Sequence, residues 1–333
     1  MIIGYELKLK KGLITKSSLA LLLIFSVIGA ATAQLAVGIR TNAASDAKSK
    51  YFDATQLLKD IEYLSSDELE GRSPDRPSIA KARDYVEKRF RESGIQPIGE
   101  TYRRDFTFKM RRGEVTIAGV NFVGQIKGKK YPEKYIVITA HYDHDGIKDG
   151  QIYNGADDNA SGTAALFAIA KYFTKKKPDH SMIFVAFDAE EKGLQGARHF
   201  VANLPVAKES ILLNVNVDMI SRSDKDELYA SGTYHYPQFK PAIEKVQRKA
   251  KIKLLIGHDR PEQGQDDWTF QSDHGAFHRE KIPFIYFGVE DHEDYHQPTD
   301  DFANIHPEFY VNAVETMIET VRLLDSTLKS VSD

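Results

Sequence analysis

Residues 135–144 read YIVITAHYDH, and this stretch decides the fold. Tyr135–Ala140 is a short, continuous apolar run rich in β-branched residues, so it reads as a strand buried on both faces. The pattern returns at 182–187 (MIFVAF), 211–217 (ILLNVNV) and 283–287 (PFIYF). Helices are expected between these strands at 160–173, 193–202 and 238–251, with a long terminal helix over 308–328. Buried strands alternating with helices predict an α/β fold whose largely parallel central sheet is covered on both faces. Upstream, 54–64 and 77–93 read as helices, the second stopped by Gly94, and 103–109 and 115–127 read as strands of a meander. The sheet is therefore expected to be mixed, with antiparallel strands at one edge.

In open α/β sheets, sites form beyond the carboxyl ends of the strands. Three predicted strands end in polar clusters: His141-Tyr142-Asp143-His144, Asp188-Ala189-Glu190-Glu191, and Asp218. GADDNASG (155–162) precedes a helix, and a late loop holds Tyr295-His296. Singly, these residues have plain structural readings: an Asp pair before an apolar run is usually a helix cap, and a Glu pair a solvated helix start. Those readings do not explain why all of them meet at one sheet edge.

The chain has 11 His and no Cys. That excludes disulfides, thiol nucleophiles, Cys-based zinc sites and iron–sulfur clusters, so a transition-metal site must be built from His, Asp and Glu. A formal net charge of -3 gives no electrostatic argument for a nucleic-acid partner. Two divalent ions about 3.5–4 Å apart need one bridging carboxylate, and each ion then takes one His and one further carboxylate. His141, Asp157, Glu191, Asp218 and His296 fill that set. Glu190 stays off the metals as a general base for a water, later returning the proton to a leaving amine. Asp143, two residues after His141, is the expected acceptor of its free imidazole N–H, and Asp158 is expected to support the site without binding a metal.

The N-terminus reads as an address label. Lys8, Lys10, Lys11 and Lys16 precede the apolar run Ser18–Ala30, and Ala31-Thr32-Ala33 fits a signal-peptidase site. The run is shorter than the ~20 residues of a spanning helix. Residues 1–33 are thus expected to be a cleaved signal peptide and 34–50 a flexible lead-in. The expected location is periplasmic or secreted, with no stable membrane span after cleavage. From Tyr51 no linker or repeat interrupts the chain, so 51–330 is expected to be a single domain.

With these motifs in order, the chain resembles the co-catalytic dizinc aminopeptidases, whose wider family includes glutamate carboxypeptidase and glutaminyl cyclase. The resemblance rests on LSSDELEGR (64–72), HYDH (141–144), YNGADDNASG (153–162), FDAEEKGLQGA (187–197), NVDMI (216–220), SDHGAF (272–277) and YHQPTD (295–300). It implies a zinc aminopeptidase/phosphorylase-like three-layer sandwich and two zinc ions per chain. His141 and Asp218 would hold one zinc, Glu191 and His296 the other, and Asp157 would bridge, with a cis Asp157–Asp158 peptide. Glu190 would be the general base, and Tyr295 would steady the tetrahedral intermediate. His144, His274, His278 and His292 are expected to support loops or to hydrogen-bond acids behind the ligands, while Trp268 and Phe270 are candidates for a pocket wall. SPDRPS (73–78) departs from the Gly-Thr-rich stretch of many relatives, and the chain between Tyr102 and His141 is too short for the inserted domain that others carry.

The implied activity is removal of N-terminal residues from peptides with a free N-terminus. Glutaminyl cyclisation at a single zinc is the second reading, and carboxypeptidase action, which needs a cation such as Arg222 or Arg260 for the substrate carboxylate, a third. Relatives that serve only as binding modules have lost metal ligands, whereas here every expected position is filled. Imidazoles and carboxylates alone suit zinc, cobalt or manganese, and the sequence carries no signal for oligomeric state.

Overall fold

The computed structural model describes residues 47–110 and 115–328. The expected signal peptide, and the lead-in as far as residue 46, lie outside the described residues. Helix α1 (Ala54–Leu64) begins where the Asp53 carboxylate accepts the Gln56 N–H at 3.1 Å, and it buries Leu57, Leu58, Ile61 and Leu64 along one stripe. Helix α2 (Ile79–Ser93) stops at Gly94, whose φ of 83° suits a residue without Cβ. Strands β1 (Gln96–Pro97), β2 (Arg103–Lys109), β3 (Thr116–Ile126) and β4 (Tyr131–His141) follow, then the hairpin β5 (Gly146–Lys148) and β6 (Gln151–Tyr153). Next come α3 (Gly162–Lys175), β7 (His180–Phe187), α4 (Gln195–Ala202), β8 (Ile211–Val217) and β9 (Glu227–Ser231). The remaining elements are α5 (Lys240–Gln247), β10 (Lys253–Ile256), α6 (His274–Arg279), β11 (Phe284–Gly288) and α7 (Pro307–Thr327).

Nine strands form one mixed sheet in the order β1-β3-β7-β4-β8-β11-β9-β10, with β2 also paired to β3. The central pairs β7–β4, β4–β8 and β8–β11 are parallel, while β1, β2 and β3 form the expected antiparallel edge. Alternate strand residues serve opposite faces. On one face, Val137, Ile183, Val185 and Phe187 pack with Phe200 of α4 and Phe277 of α6. Helix α3 lies against β4, β7 and β8, together with α1, α2 and α7. Every residue of β7 is buried, and each large apolar side chain there contributes roughly 1.5–3 kcal/mol by leaving water.

Strands β9 and β10 have no counterpart in the sequence reading. At five and four residues (ELYAS, KLLI) they are too short for periodicity to separate strand from loop. Helix α3 starts two residues later than expected because Ala156–Ser161 forms an irregular turn. No described helix is long and apolar enough to cross a membrane. Because β7, β4, β8 and β11 run parallel side by side, their carboxyl ends share one edge, and the polar motifs meet there.

Candidate active site

Two imidazoles face one carboxylate at this edge. His141, the last residue of β4, sets Nε2 3.4 Å from Asp158 Oδ1 and 3.3 Å from Asp218 Oδ1, just beyond β8. His296, from the loop after β11, sets Nε2 3.0 Å from Asp158 Oδ2 and 3.5 Å from Glu191 Oε1, just beyond β7. Asp158 therefore divides its two oxygens between the two sides. His144 adds a third imidazole, with Nδ1 2.9 Å from Glu191 Oε1 and 3.8 Å from Asp158 Oδ2.

The donor set fits metal ions. Separations of 3.0 to 3.5 Å around His141 and His296 match the edge of about 3.3 Å in a tetrahedron with bonds of about 2.0–2.1 Å. His144 Nε2 and both Asp273 carboxylate oxygens are buried without a hydrogen-bond partner, and Glu191 Oε1 meets only the His144 and His296 imidazoles. Buried groups left in that state ask for a partner that protein atoms do not supply.

Three sequence expectations are corrected. Of the two adjacent acids it is Asp158, not Asp157, whose carboxylate lies between His141 and His296. The Asp157 carboxylate turns away, accepting the Ser221 N–H and hydroxyl at 2.6 and 2.8 Å and lying 3.0 Å from His292 Nε2. Adjacent residues in an irregular turn project differently, and the sequence alone does not say which Asp faces inward. The cis peptide is accordingly Asp158–Asn159. Finally, His141 Nδ1 meets the Asp143 backbone carbonyl at 3.2 Å, with the nearer carboxylate oxygen 3.7 Å away. The Asp143 carboxylate instead accepts the N–H groups of Glu190 and Glu191 at 3.0 and 3.3 Å, and so orients the segment carrying both acids.

The turn that presents Asp158 is held from several sides. Gly155 has φ 56°, and a Cβ there would lie 2.0 Å from the Asp158 carbonyl and 2.5 Å from the His144 ring, so only glycine fits. Asp300 accepts the N–H groups of Asp157 and Asp158 at 2.9 and 3.0 Å, one on each oxygen. Asn159 accepts Gly162 N–H at 2.8 Å and donates to the Val217 carbonyl at 2.9 Å, fixing the turn to the end of β8. Arg72, wholly buried, donates to the carbonyls of Tyr142, Gly155, Asn154 and Leu64, which fastens the LEGR turn to both the β4 end and this loop. Burial lowers its pKa to about 10, against the pull of Asp143 and Asp158. Arg72, Asp300 and His292 escaped the list of expected site residues. The LEGR and YHQPTD motifs were a signal for the first two.

Electrostatics divide the acids. Burial opposes the charged form of His141, but the Asp218 and Glu190 carboxylates outweigh it and hold the imidazole well above its ordinary range. For His296 burial is likewise overcome, by hydrogen bonds to Asp158 and Glu191, and the value rises to about 11. Burial and the Asp158 charge raise Glu191, yet its contacts with His144 and His296 bring it down to about 2. Glu190 behaves oppositely: burial pushes its carboxyl well up, and Glu191, Asp273 and Asp218 add to this against His141. Two neighbouring acids pulled apart in this way are suited to different tasks.

The site opens into a cleft of about 380 Å³. Glu190 and Tyr295 both line it, beside an apolar side made by Leu194, Met219, Trp268, Tyr286 and Val289. Phe270 does not line it and is exposed. None of the described lining residues is Lys or Arg. Arg222 is occupied by Glu293 and Asp294, and Arg260 lies over the Tyr234 ring beside Glu262. His274 and His278, both on α6, meet the Trp268 carbonyl and the Tyr236 hydroxyl, and His292 meets Asp157.

Comparison with known proteins agrees with this geometry. The sequence profile of peptidase family M28 matches residues 121–321. The chain is 31% identical over 204 residues to aminopeptidase YwaD of Bacillus subtilis, covering 56% of this chain and 41% of that protein. It is 25% identical over 251 residues to the alkaline phosphatase isozyme conversion protein of Escherichia coli, covering 71% and 69%. A probable zinc metalloprotease of Leptosphaeria maculans is 33% identical over 110 residues, 32% of this chain and 25% of that one. The matched region thus spans well under half of several curated relatives. Among solved structures, a Zn-dependent exopeptidase from Parabacteroides distasonis superposes with a TM-score of 0.64 at 18% identity, over 81% of this chain and 98% of that one. Porphyromonas gingivalis glutaminyl cyclase gives 0.68 at 17%, over 84% and 100%. Both likenesses concern the fold.

Proposed function

The chain belongs to peptidase family M28, and on that premise we propose that it is an exported dizinc aminopeptidase. The observation that carries the reading is Asp158, whose two oxygens serve His141 and His296 separately. His141 and Asp218 would hold one zinc, His296 and Glu191 the other, and Asp158 would bridge them. When bound, the two ions would polarise the scissile carbonyl and acidify a water. Glu190, lining the cleft and held off the ligand set, accepts the proton of the attacking water and delivers it to the departing amine. Tyr295 presents its phenol to the same cleft, where it would hydrogen-bond the developing oxyanion. Trp268, Met219 and Tyr286 offer an apolar wall for the substrate's first side chain. Export rests on the signal-peptide pattern of residues 1–33.

Among the described residues the cleft is lined by several carboxylates and by no Lys or Arg, which favours a substrate that offers its amine end over one that offers a carboxylate. The test is a panel of aminoacyl, N-acetylated, C-terminally free and N-terminal Gln peptides, given to metal-stripped protein before and after zinc is restored. The expected result is release of N-terminal residues only from free-amine peptides, and only with zinc. Pyroglutamate formation from Gln peptides at one zinc per chain would replace this reading with cyclisation. Hydrolysis indifferent to metal would overturn both.

A further inference from the structure

His292 is four residues before His296 and lies outside the proposed ligand set, yet its ring reaches the turn on the other side of the site. Its Nε2 is 3.0 Å from Asp157 Oδ2, and its Nδ1 accepts the Asp294 N–H at 3.3 Å, which assigns the Nε2 proton to the bond with Asp157. The His292 carbonyl accepts the Tyr295 N–H at 3.0 Å. Asp157 gives its other oxygen to the N–H and hydroxyl of Ser221, three residues beyond Asp218. One carboxylate thus joins three segments: the turn carrying Asp158, the β8 end carrying Asp218, and the loop carrying Tyr295 and His296. All these contacts are direct hydrogen bonds among protein atoms.

We propose that His292 is a positioning residue. Through its hydrogen bond to Asp157 it sets the loop that aims His296 and Tyr295 at the bridging carboxylate. The proposal rests on the dizinc reading for its effect on catalysis, but not for the loop's order. Groups that orient metal ligands from behind typically account for about 10–100-fold in metal affinity.

The experiment compares the full-length protein with His292→Ala, His292→Gln, Asp157→Asn and the His292→Ala/Asp157→Asn double variant. Zinc affinity is read by competition with a chromogenic chelator, order by hydrogen exchange of amides 293–298 in metal-free protein, and turnover at saturating zinc. Expected for His292→Ala is about 10–100-fold weaker binding of one of two zincs. Faster exchange at 293–298 should accompany it, with kcat reduced more than KM is raised. His292→Gln, which keeps a side-chain N–H, should recover much of each. The double variant should lose little more than Asp157→Asn alone, because the whole effect of His292 passes through its bond to Asp157. Unchanged exchange with zinc affinity within twofold of the parent, or full additivity in the double variant, would overturn the proposal. If the parent itself bound no zinc, the enzymatic reading would fall, while the exchange result would still decide whether His292 orders the loop.

Discussion

Two buried His–Asp sites lie at opposite ends of the same strand, and they differ in what their carboxylates have left to do. At the start of β7, Asp325 Oδ1 accepts the His180 backbone N–H at 2.8 Å and its Nδ1 at 3.0 Å, and Oδ2 accepts the Asp179 N–H at 2.8 Å. Both oxygens are satisfied by one turn, and the result is a latch between α7 and β7. At the far end of β7, both Asp273 oxygens are buried with no hydrogen-bond partner, and Asp158 and Glu191 Oε1 face imidazoles. Each end also buries an imidazole nitrogen without a partner, His180 Nε2 at one and His144 Nε2 at the other, so the difference lies in the carboxylates: N–H donors fill Asp325, whereas Asp158 meets ring nitrogens only.

The largest effect should come from the residue that tells the two sites apart chemically. Glu190→Gln is expected to keep both metals and lose about 10²–10⁴-fold in turnover, the usual worth of a general base. Metal analysis beside steady-state kinetics checks both halves, and near-parental turnover would remove Glu190 from its role. Next come the carboxylates. Asp158→Asn should abolish binding at both metal positions. Asp325→Asn should leave metal content and kcat intact and cost about 1–3 kcal/mol of stability, the penalty for donors left unsatisfied. Should Asp325→Asn reduce zinc content as far as Asp158→Asn does, the contrast between the two ends would be lost.

A third difference concerns protons. Metal ligands must be neutral imidazoles, whereas in the metal-free protein His296 is held at about 11 and His141 is also raised. Zinc uptake at pH 7 should therefore release protons, and apparent affinity should rise between pH 6 and pH 8. Calorimetry in buffers of different ionisation enthalpy measures the release directly. A heat independent of buffer would mean that the imidazoles are already neutral.

Much of this was legible in the sequence, for reasons that also explain the errors. Continuous apolar strands such as 182–187 announce a two-faced parallel sheet, and the rule about strand ends then places His141, Glu190, Glu191 and Asp218 together. The choice between Asp157 and Asp158 was not legible. It depends on the backbone path of a six-residue irregular turn, fixed locally by Asn159 and the close approach at Gly155 and from far along the chain by Asp300, Arg72 and Val217. His292 was read as a loop support, but the particular residue it supports follows only from the turn that sends Asp157 outward. Strands β9 and β10 were missed because four or five residues carry too little periodicity, although they complete the sheet edge beside β11.

The smallest effect at working pH, and the one that isolates burial from ligation, involves His274. This imidazole is buried against Phe284 and Tyr286. Its Nε2 meets the Trp268 carbonyl at 2.8 Å, and its Nδ1 has no partner. Burial pulls its pKa down to about 3, with the carbonyl bond opposing. Unlike His141 and His296, its ring is in contact with no carboxylate among the described residues, and the more distant Asp267 charge does not offset burial. The unfolded chain takes up a proton near pH 6.5, which the folded form refuses until about pH 3, so the unfolded state binds more protons in that window. The stability His274 contributes is therefore complete above about pH 6.5 and is lost as pH falls towards 3, with a slope of up to ~1.4 kcal/mol per unit. His274→Gln keeps a donor for the Trp268 carbonyl and removes the titration. Unfolding free energies from urea melts of both proteins between pH 7 and pH 4 should diverge downward for the parent, by about 2 kcal/mol at pH 5. Parallel curves would mean that the ring can take a proton without leaving its place, and burial alone would then not explain why the imidazoles at the site need their carboxylates.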